Sequence, residues 1–203
     1  MTDRALFHEA IPDAPGLSVD LHRGFLSDAD AHLAGLLGET PWVQGEIVVA
    51  GQRHPIPRLE AWYGDPGRTY TYSGRRLDPL PWTPRLAGLR DRCAEAAGDP
   101  FDSVLVNRYR DGRDAVGWHA DDEPELGPEP VIASLSLGAT RRFRLRRKDG
   151  RHDPVTADLE HGDLLVMRGA TQVLWEHCLA RTARPVGERV NLTFRRIVDR
   201  QRR

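Results

Sequence analysis

A chain of 203 residues, 39% hydrophobic and 29% charged, can bury one substantial core and points to a single domain. No apolar run approaches the roughly 18 residues a membrane span needs, and MTDRALFHEAIPDAPG at the start lacks the basic-then-apolar order of a secretion signal. A cytoplasmic protein without a membrane partner is expected. Two cysteines, Cys93 and Cys178, exclude a disulfide framework and read as free thiols. The formal net charge of -1 conceals a basic segment, RRFRLRRKDGR (141–151), with six arginines and one lysine against one aspartate.

Residues 1–16, rich in Pro, Ala and Asp, read as a loosely packed arm, and 17–203 as the domain. SDADAHLAGLLGE offers Ser27 as an N-cap, followed by Leu33, Leu36 and Leu37 at helical spacing. EIVVA (46–50) reads as a strand. TPRLAGLRDRCAEAAG predicts a second helix, with Thr83 as N-cap, Pro84 at the first helical position and Gly98 as terminator; Leu86, Leu89, Cys93 and Ala97 share one side. Strands are then predicted at 103–109, 131–137, 142–146, 163–167 and 189–197. In 142–146, Phe143 and Leu145 take one face and Arg142, Arg144 and Arg146 the other. That basic stripe suits phosphate backbones or, equally, an edge strand guarded by charge. In 189–197, Val190, Leu192 and Phe194 alternate with Arg189, Asn191, Thr193 and Arg195, which reads as a half-buried strand with a polar face. Many short strands after helices predict an α+β, mainly β class: a double-sheet jelly roll backed by helices. Trp62, Tyr63, Trp118 and Trp175 read as core aromatics, and Asp111 and Asp114 in RDGRD as turn formers.

GWHADDE (117–123) sets an imidazole and three carboxylates within five residues. In an extended segment His119 and Asp121 leave the same face, and His177 is the natural third ligand. Two imidazoles and one carboxylate leave open positions on iron(II) for a cosubstrate and dioxygen. Eight histidines make chance pairings easy, so an acidic surface loop with His119 capping a turn is the plainer alternative. Arg189 and Arg195 share a strand face with Asn191 between them, and guanidinium groups placed so can clamp a dicarboxylate. A basic edge strand would explain the arginines but not the asparagine.

In that order, NRYRDGRDAVGWHADDEPELG, IASLSLGATRRF, HGDLLVMRGATQVLWEHCL and ERVNLTFR resemble the AlkB family of iron(II) and 2-oxoglutarate-dependent dioxygenases. IPRLEAWYGDPGRTYTYSG resembles the nucleotide-recognition segment of its nucleic-acid-repair members, above all the animal homologues acting on DNA. The resemblance spans about 40–197 and implies a double-stranded β-helix (jelly roll) core over about 100–197 with a nucleotide-recognition hairpin region over about 40–80. It makes His119, Asp121 and His177 the Fe(II) ligands. Asn107, Tyr109, Arg189, Asn191 and Arg195 would bind 2-oxoglutarate, with Arg189 and Tyr109 at the distal carboxylate and Arg195 and Asn107 near the end that chelates iron.

The implied substrate is a base flipped out of its strand. Tyr72 would stack on it opposite His119, Tyr70 would line its pocket, and Glu123 would read the exocyclic amine. Asp122 would orient Arg58 at the pocket mouth. The implied reaction is oxidative demethylation of 1-methyladenine or 3-methylcytosine, consuming O2 and 2-oxoglutarate and releasing succinate, carbon dioxide and formaldehyde. The partner is alkylated DNA, or RNA, met by a monomer. A demethylase or hydroxylase of RNA or protein and a non-catalytic nucleic-acid binding module are the competing readings. TYTYSG and Glu123 favour a nucleobase, and the complete metal set favours an enzyme. In the duplex-preferring animal homologue a bulky aromatic on the hairpin wedges into the base stack. In EIVVAGQRHPIPR that position falls on Ala50, which predicts a preference for single strands or weakened duplexes unless Val48 or Val49 substitutes.

Overall fold

The computed structural model describes residues 8–49, 51–68, 70–72, 75–77 and 79–198, by backbone alone at 8–10, 49, 70–72 and 75–77. The first half of the chain contributes β1 (His8–Ala10), β2 (Ser18–His22), α1 (Ala29–Glu39), β3 (Glu46–Val49), β4 (Gln52–Pro55), β5 (Leu59–Gly64), β6 (Tyr70–Tyr72), β7 (Arg75–Leu77) and α2 (Pro84–Ala97). The second contributes β8 (Ser103–Tyr109), β9 (Val116–His119), β10 (Ile132–Gly138), β11 (Arg141–Arg147), β12 (Val155–Leu159), β13 (Leu164–Arg168), α3 (Thr171–Leu174), β14 (Trp175–Leu179) and β15 (Arg189–Arg195). A seven-stranded sheet, β1-β2-β13-β10-β15-β8-β5, packs against a four-stranded one, β12-β11-β14-β9. Every ladder is antiparallel, and β3–β4 and β6–β7 form separate hairpins. This is the expected jelly roll backed by helices.

Period-two alternation in the large sheet separates two cores. Val104 and Val106, Leu135 and Leu137, and Val190, Leu192 and Phe194 face the helices, where they meet Leu36, Leu86, Leu89 and Cys93. Leu105, Ile132, Leu165 and Met167 face the small sheet and meet Phe143, Leu145, Leu159 and Trp175. The α2 boundaries are those the sequence predicts: Thr83 Oγ1 accepts from the Leu86 N–H at 3.2 Å, and Gly98 closes the helix in the left-handed region at φ 65. Such a cap contributes about 1 kcal/mol. The start of α1 differs. Asp28, not Ser27, holds the N-cap position and caps nothing, because its carboxylate is taken by Arg92 of α2 at 3.0 Å.

Three further expectations change. The arm expected over 1–16 is, where described, part of the fold: β1 pairs with β2, Ala14 is buried, and the Pro15 carbonyl accepts from the Trp175 indole at 3.2 Å. β11 is not an edge strand, since it lies between β12 and β14. Its faces are as read, with Phe143 and Leu145 buried and Arg142 and Arg146 exposed; Arg142 pairs with Asp158 and Arg146 with Glu176. Finally, the polar face of β15 meets no bulk solvent. It is covered by the small sheet, which leaves only Thr193 of Arg189–Arg195 partly exposed. Among the described residues no helix is long and apolar enough to cross a membrane.

Candidate metal centre and anion pocket

Pairing of β14 with β9 sets His177 opposite His119, with ring centroids 4.3 Å apart. The turn after β9 brings Asp121 beside them, so one ligand atom of each residue lies within 4.8 Å of the others. His119 Nδ1 sits 2.9 Å from the Gly117 carbonyl; donating there leaves Nε2 to a cation. Asp121 is 1% exposed, its Oδ1 accepting from Arg195 Nη2 at 2.6 Å and its backbone N–H donating to Gln172 Oε1 at 2.9 Å. Asp121 Oδ2 has no hydrogen-bond partner among the described residues. A buried carboxylate oxygen left so is costly, and a divalent cation between the imidazoles would satisfy it. Burial and the neighbouring His119 push His177 down to about 3, so it is neutral near pH 7 and ready to coordinate. Burial alone would raise the Asp121 carboxyl, but the Arg195 charge above all holds it down at about 2.

The β15–β8 ladder builds the adjoining pocket. Arg189 lies opposite Tyr109 and Asn191 opposite Asn107, so the row 189, 191, 195 and the pair 107, 109 project between the sheets. Arg189 is 1% exposed; Nη2 donates to Ser136 Oγ at 2.8 Å and Asn191 Oδ1 at 2.7 Å, while Nε has no partner among the described residues. Burial lowers its pKa to about 10, still well above neutrality. A buried guanidinium with neutral partners and a free N–H fits a carboxylate ligand. Arg58 Nε donates to Asn107 Oδ1 at 2.9 Å, joining β5's entry to the pocket floor.

One cavity is lined by Arg58, Asn107, Tyr109, His119, Asp121, His177, Arg189, Asn191 and Arg195 together, which covers every residue expected to bind metal or cosubstrate. The base-reading group is less uniform. Asp122 lies exposed with its Oδ2 2.9 Å from Lys148 Nζ. Glu123 is half-buried just before a short 3-10 turn (Pro124–Leu126) and is not among the residues lining the cavity. Tyr70 and Tyr72 fall on β6, opposite Leu77 and Arg75; their side chains, and all of Ala50, lie outside the described residues. Sequence reasoning missed Gln172, the lining residue Ser134, and Ser136, which holds Arg189. None carries a local signal, since each acts on a partner more than 50 residues away. Trp118 is half-buried and is no core aromatic: it packs against Arg144 and Arg146 at 5.4 and 4.2 Å. Trp62, Tyr63 and Trp175 are core.

A jelly roll whose inner cavity joins two imidazoles and a carboxylate to a buried, carboxylate-free arginine has the build of a non-haem iron oxygenase with an anionic cosubstrate. Residues 19–195 match the 2OG-Fe(II) oxygenase superfamily. The chain is 44% identical over 196 residues to the "DNA oxidative demethylase ALKBH2" of Mus musculus, covering 91% of this chain and 82% of that one. It is 42% identical over 207 residues to the "Alpha-ketoglutarate-dependent dioxygenase alkB homolog 3" of Homo sapiens, covering 96% and 72%. A solved structure, "The structure of OsALKBH1", shares the fold at TM-score 0.65 and 20% identity over 93% of this chain and 99% of that one. The chain belongs to the 2OG-Fe(II) oxygenase superfamily, among its alkB homologues. Its metal is iron(II) and its cosubstrates are 2-oxoglutarate and dioxygen. The resemblance read from the motifs is borne out.

Proposed function

We propose that this protein directly reverses alkylation damage in DNA by oxidative demethylation of base ring nitrogens, with 1-methyladenine and 3-methylcytosine as substrates. The identity of 42 to 44% to DNA oxidative demethylases over nearly the whole chain carries this reading, and the cavity uniting the metal and anion residues supports it. His119, Asp121 and His177 would hold iron(II). Arg189, Asn191, Tyr109, Asn107 and Arg195 would hold 2-oxoglutarate. Iron with 2-oxoglutarate and dioxygen supplies an oxidant able to hydroxylate an unactivated methyl group.

The balance is that one oxygen atom enters the methyl C–H bond and the other leaves in succinate as carbon dioxide departs. The N–CH2OH group of the cationic base then breaks its C–N bond, the electron pair returning to the ring nitrogen, with formaldehyde and a proton released. The chain's own task is to bind, orient and exclude water. Phe143, Leu179, Leu105 and Met167 wall the cavity with apolar surface, which strengthens each charge inside it. Arg195 keeps Asp121 ionised for the metal. Glu123, two residues after the ligand Asp121, would favour a positively charged methylated ring.

An alanine at position 50 of the sequence, where the duplex-preferring homologue carries a bulky aromatic, supports action on single strands, or on duplexes weakened by damage, and the enzyme would act as a monomer in the cytoplasm. Arg142, Arg144 and Arg146 offer a basic face to the strand's phosphates. The decisive test is the mass of single-stranded oligonucleotides bearing one 1-methyladenine or 3-methylcytosine after incubation with protein, iron(II), 2-oxoglutarate and air, beside His119→Ala. Methyl loss with intact protein alone is expected. Succinate without methyl loss would redirect the reading to RNA or protein substrates, and no succinate at all would leave a binding module. Glu123→Ala should slow turnover of these cationic bases with metal affinity intact; unchanged turnover refutes its role.

A further inference from the structure

Arg141, the first residue of β11, is 3% exposed and belongs neither to the metal ligands nor to the cavity lining. Among the described residues its guanidinium donates only to carbonyls: Nη1 to Asp111 at 3.2 Å, and Nη2 to Asp114 at 2.9 Å and Ala180 at 2.8 Å. The carboxylates of those two aspartates are engaged elsewhere, Asp114 by Arg110 and Asp111 by Arg113. A buried cation with no carboxylate partner is expensive and is not how an arginine that merely stitches loops is normally balanced. The Arg141 guanidinium lies 5.8 Å from the centre of the Tyr109 ring, and that of Arg189 lies 5.4 Å from the same ring. Two buried positive charges, neither paired to a carboxylate among the described residues, thus flank one phenol that opens into the anion pocket.

We propose that Arg141 is a positioning residue for the cosubstrate, fixing the Tyr109 ring and polarising its hydroxyl as a donor to the distal carboxylate, which favours the dianion 2-oxoglutarate over monoanionic 2-oxo acids. This rests on the reading that Tyr109 and Arg189 receive the distal carboxylate. A cation against the ring polarises the phenol, which makes its O–H a stronger donor to an anion. The carbonyl bonds do the orienting: they tie the turn after β8, which carries Tyr109, to the end of β14, which carries His177.

The test is a double-mutant cycle in binding, free of turnover. The Kd for 2-oxoglutarate is measured calorimetrically on Mn(II)-loaded protein without dioxygen, for wild type, Arg141→Gln, Tyr109→Phe and the double variant. Arg141→Gln should raise Kd about tenfold in the wild-type background but less than about twofold beside Tyr109→Phe, the size of a desolvated cation–ring contact. Mn(II) affinity, and the Kd for 2-oxopentanoate, which lacks the distal carboxylate, should not move. Equal losses in both backgrounds, or equal losses for both oxo acids, overturn the inference. If Tyr109→Phe alone leaves the 2-oxoglutarate Kd unchanged, the underlying assignment of Tyr109 fails instead. Should Arg141→Gln not fold, Arg141→Lys runs the same cycle, with about threefold expected.

Discussion

Arg195→Met isolates the electrostatic debt of the metal centre. The Arg195–Asp121 pair is 2.6 Å long and its side chains are 5% and 1% exposed, so methionine fills the space and leaves the carboxylate without its cation. At pH 7 the escape is to take up a proton, which for a carboxyl of ordinary pKa 3.8 costs about 4 kcal/mol, at about 1.4 kcal/mol per pH unit. That ceiling agrees with the roughly 3–5 kcal/mol seen when buried pairs lose one partner. The two proteins have opposite acid responses. In the wild type the folded carboxyl sits at about 2, below its ordinary value, so its contribution is present above about pH 4 and is lost as pH falls toward 2. In the variant burial, the largest influence on this carboxyl, is opposed only by the neighbouring imidazoles and raises it, so the variant gains stability as pH falls. Urea denaturation in chelator should therefore show the variant's deficit narrowing by up to about 3 kcal/mol between pH 7 and pH 5, at about 1.4 kcal/mol per pH unit. Saturating Mn(II) at pH 7 should shrink it by restoring a positive neighbour. A deficit below about 1 kcal/mol at pH 7, or one that does not narrow in acid, refutes the reasoning.

Two shorter expectations concern residues that touch neither metal nor cosubstrate. Gln172→Ala removes the acceptor for the Asp121 N–H and should weaken metal binding about 10- to 100-fold in a competition titration with a chromophoric chelator, while an unchanged affinity would reduce Gln172 to packing. Ala50→Phe should raise turnover on duplex relative to single-stranded substrate in matched oligonucleotides, and an unaltered ratio would remove the hairpin from strand selection.

Where side-chain alternation or capping is strong, the sequence reads true: α2 has its predicted ends, and 103–109 is β8 residue for residue. Where strands are short or buried on both faces, it is mute. WEHCL became β14 although no alternation marks it, because four of its five residues are buried between neighbours. The polar row of β15 illustrates a different limit. Alternation states that Arg189, Asn191 and Arg195 share a face, but a face toward solvent and one toward an enclosed cavity have the same pattern. Only the covering small sheet decides between them. The Asp122–Lys148 contact is hidden for a related reason: Lys148, 26 residues on, reaches Asp122 from the end of β11, and no local motif encodes that approach.

The same enclosure ties stability to ligation. Leu105, Ile132, Leu165 and Met167 make the inner face of the large sheet apolar over much of its area. The polar end concentrates Arg189 Nε and Asp121 Oδ2, each buried without a hydrogen-bond partner among the described residues. Charges arranged so for a cation and a dianion weigh against the folded state until both arrive, and each ligand should then stabilise it by mass action, about 2.7 kcal/mol at one hundred times its Kd. For a domain of this size that corresponds to roughly 5 to 10 °C per ligand in a melting experiment. His119→Ala should abolish the Mn(II) increment. Arg189→Met should keep it and lose most of the 2-oxoglutarate increment, with succinate, which lacks the oxo group, giving a smaller rise than 2-oxoglutarate in the wild type. If the two increments persist in both variants, the ligands bind elsewhere, and the buried polar atoms owe their place to something other than the metal and its cosubstrate.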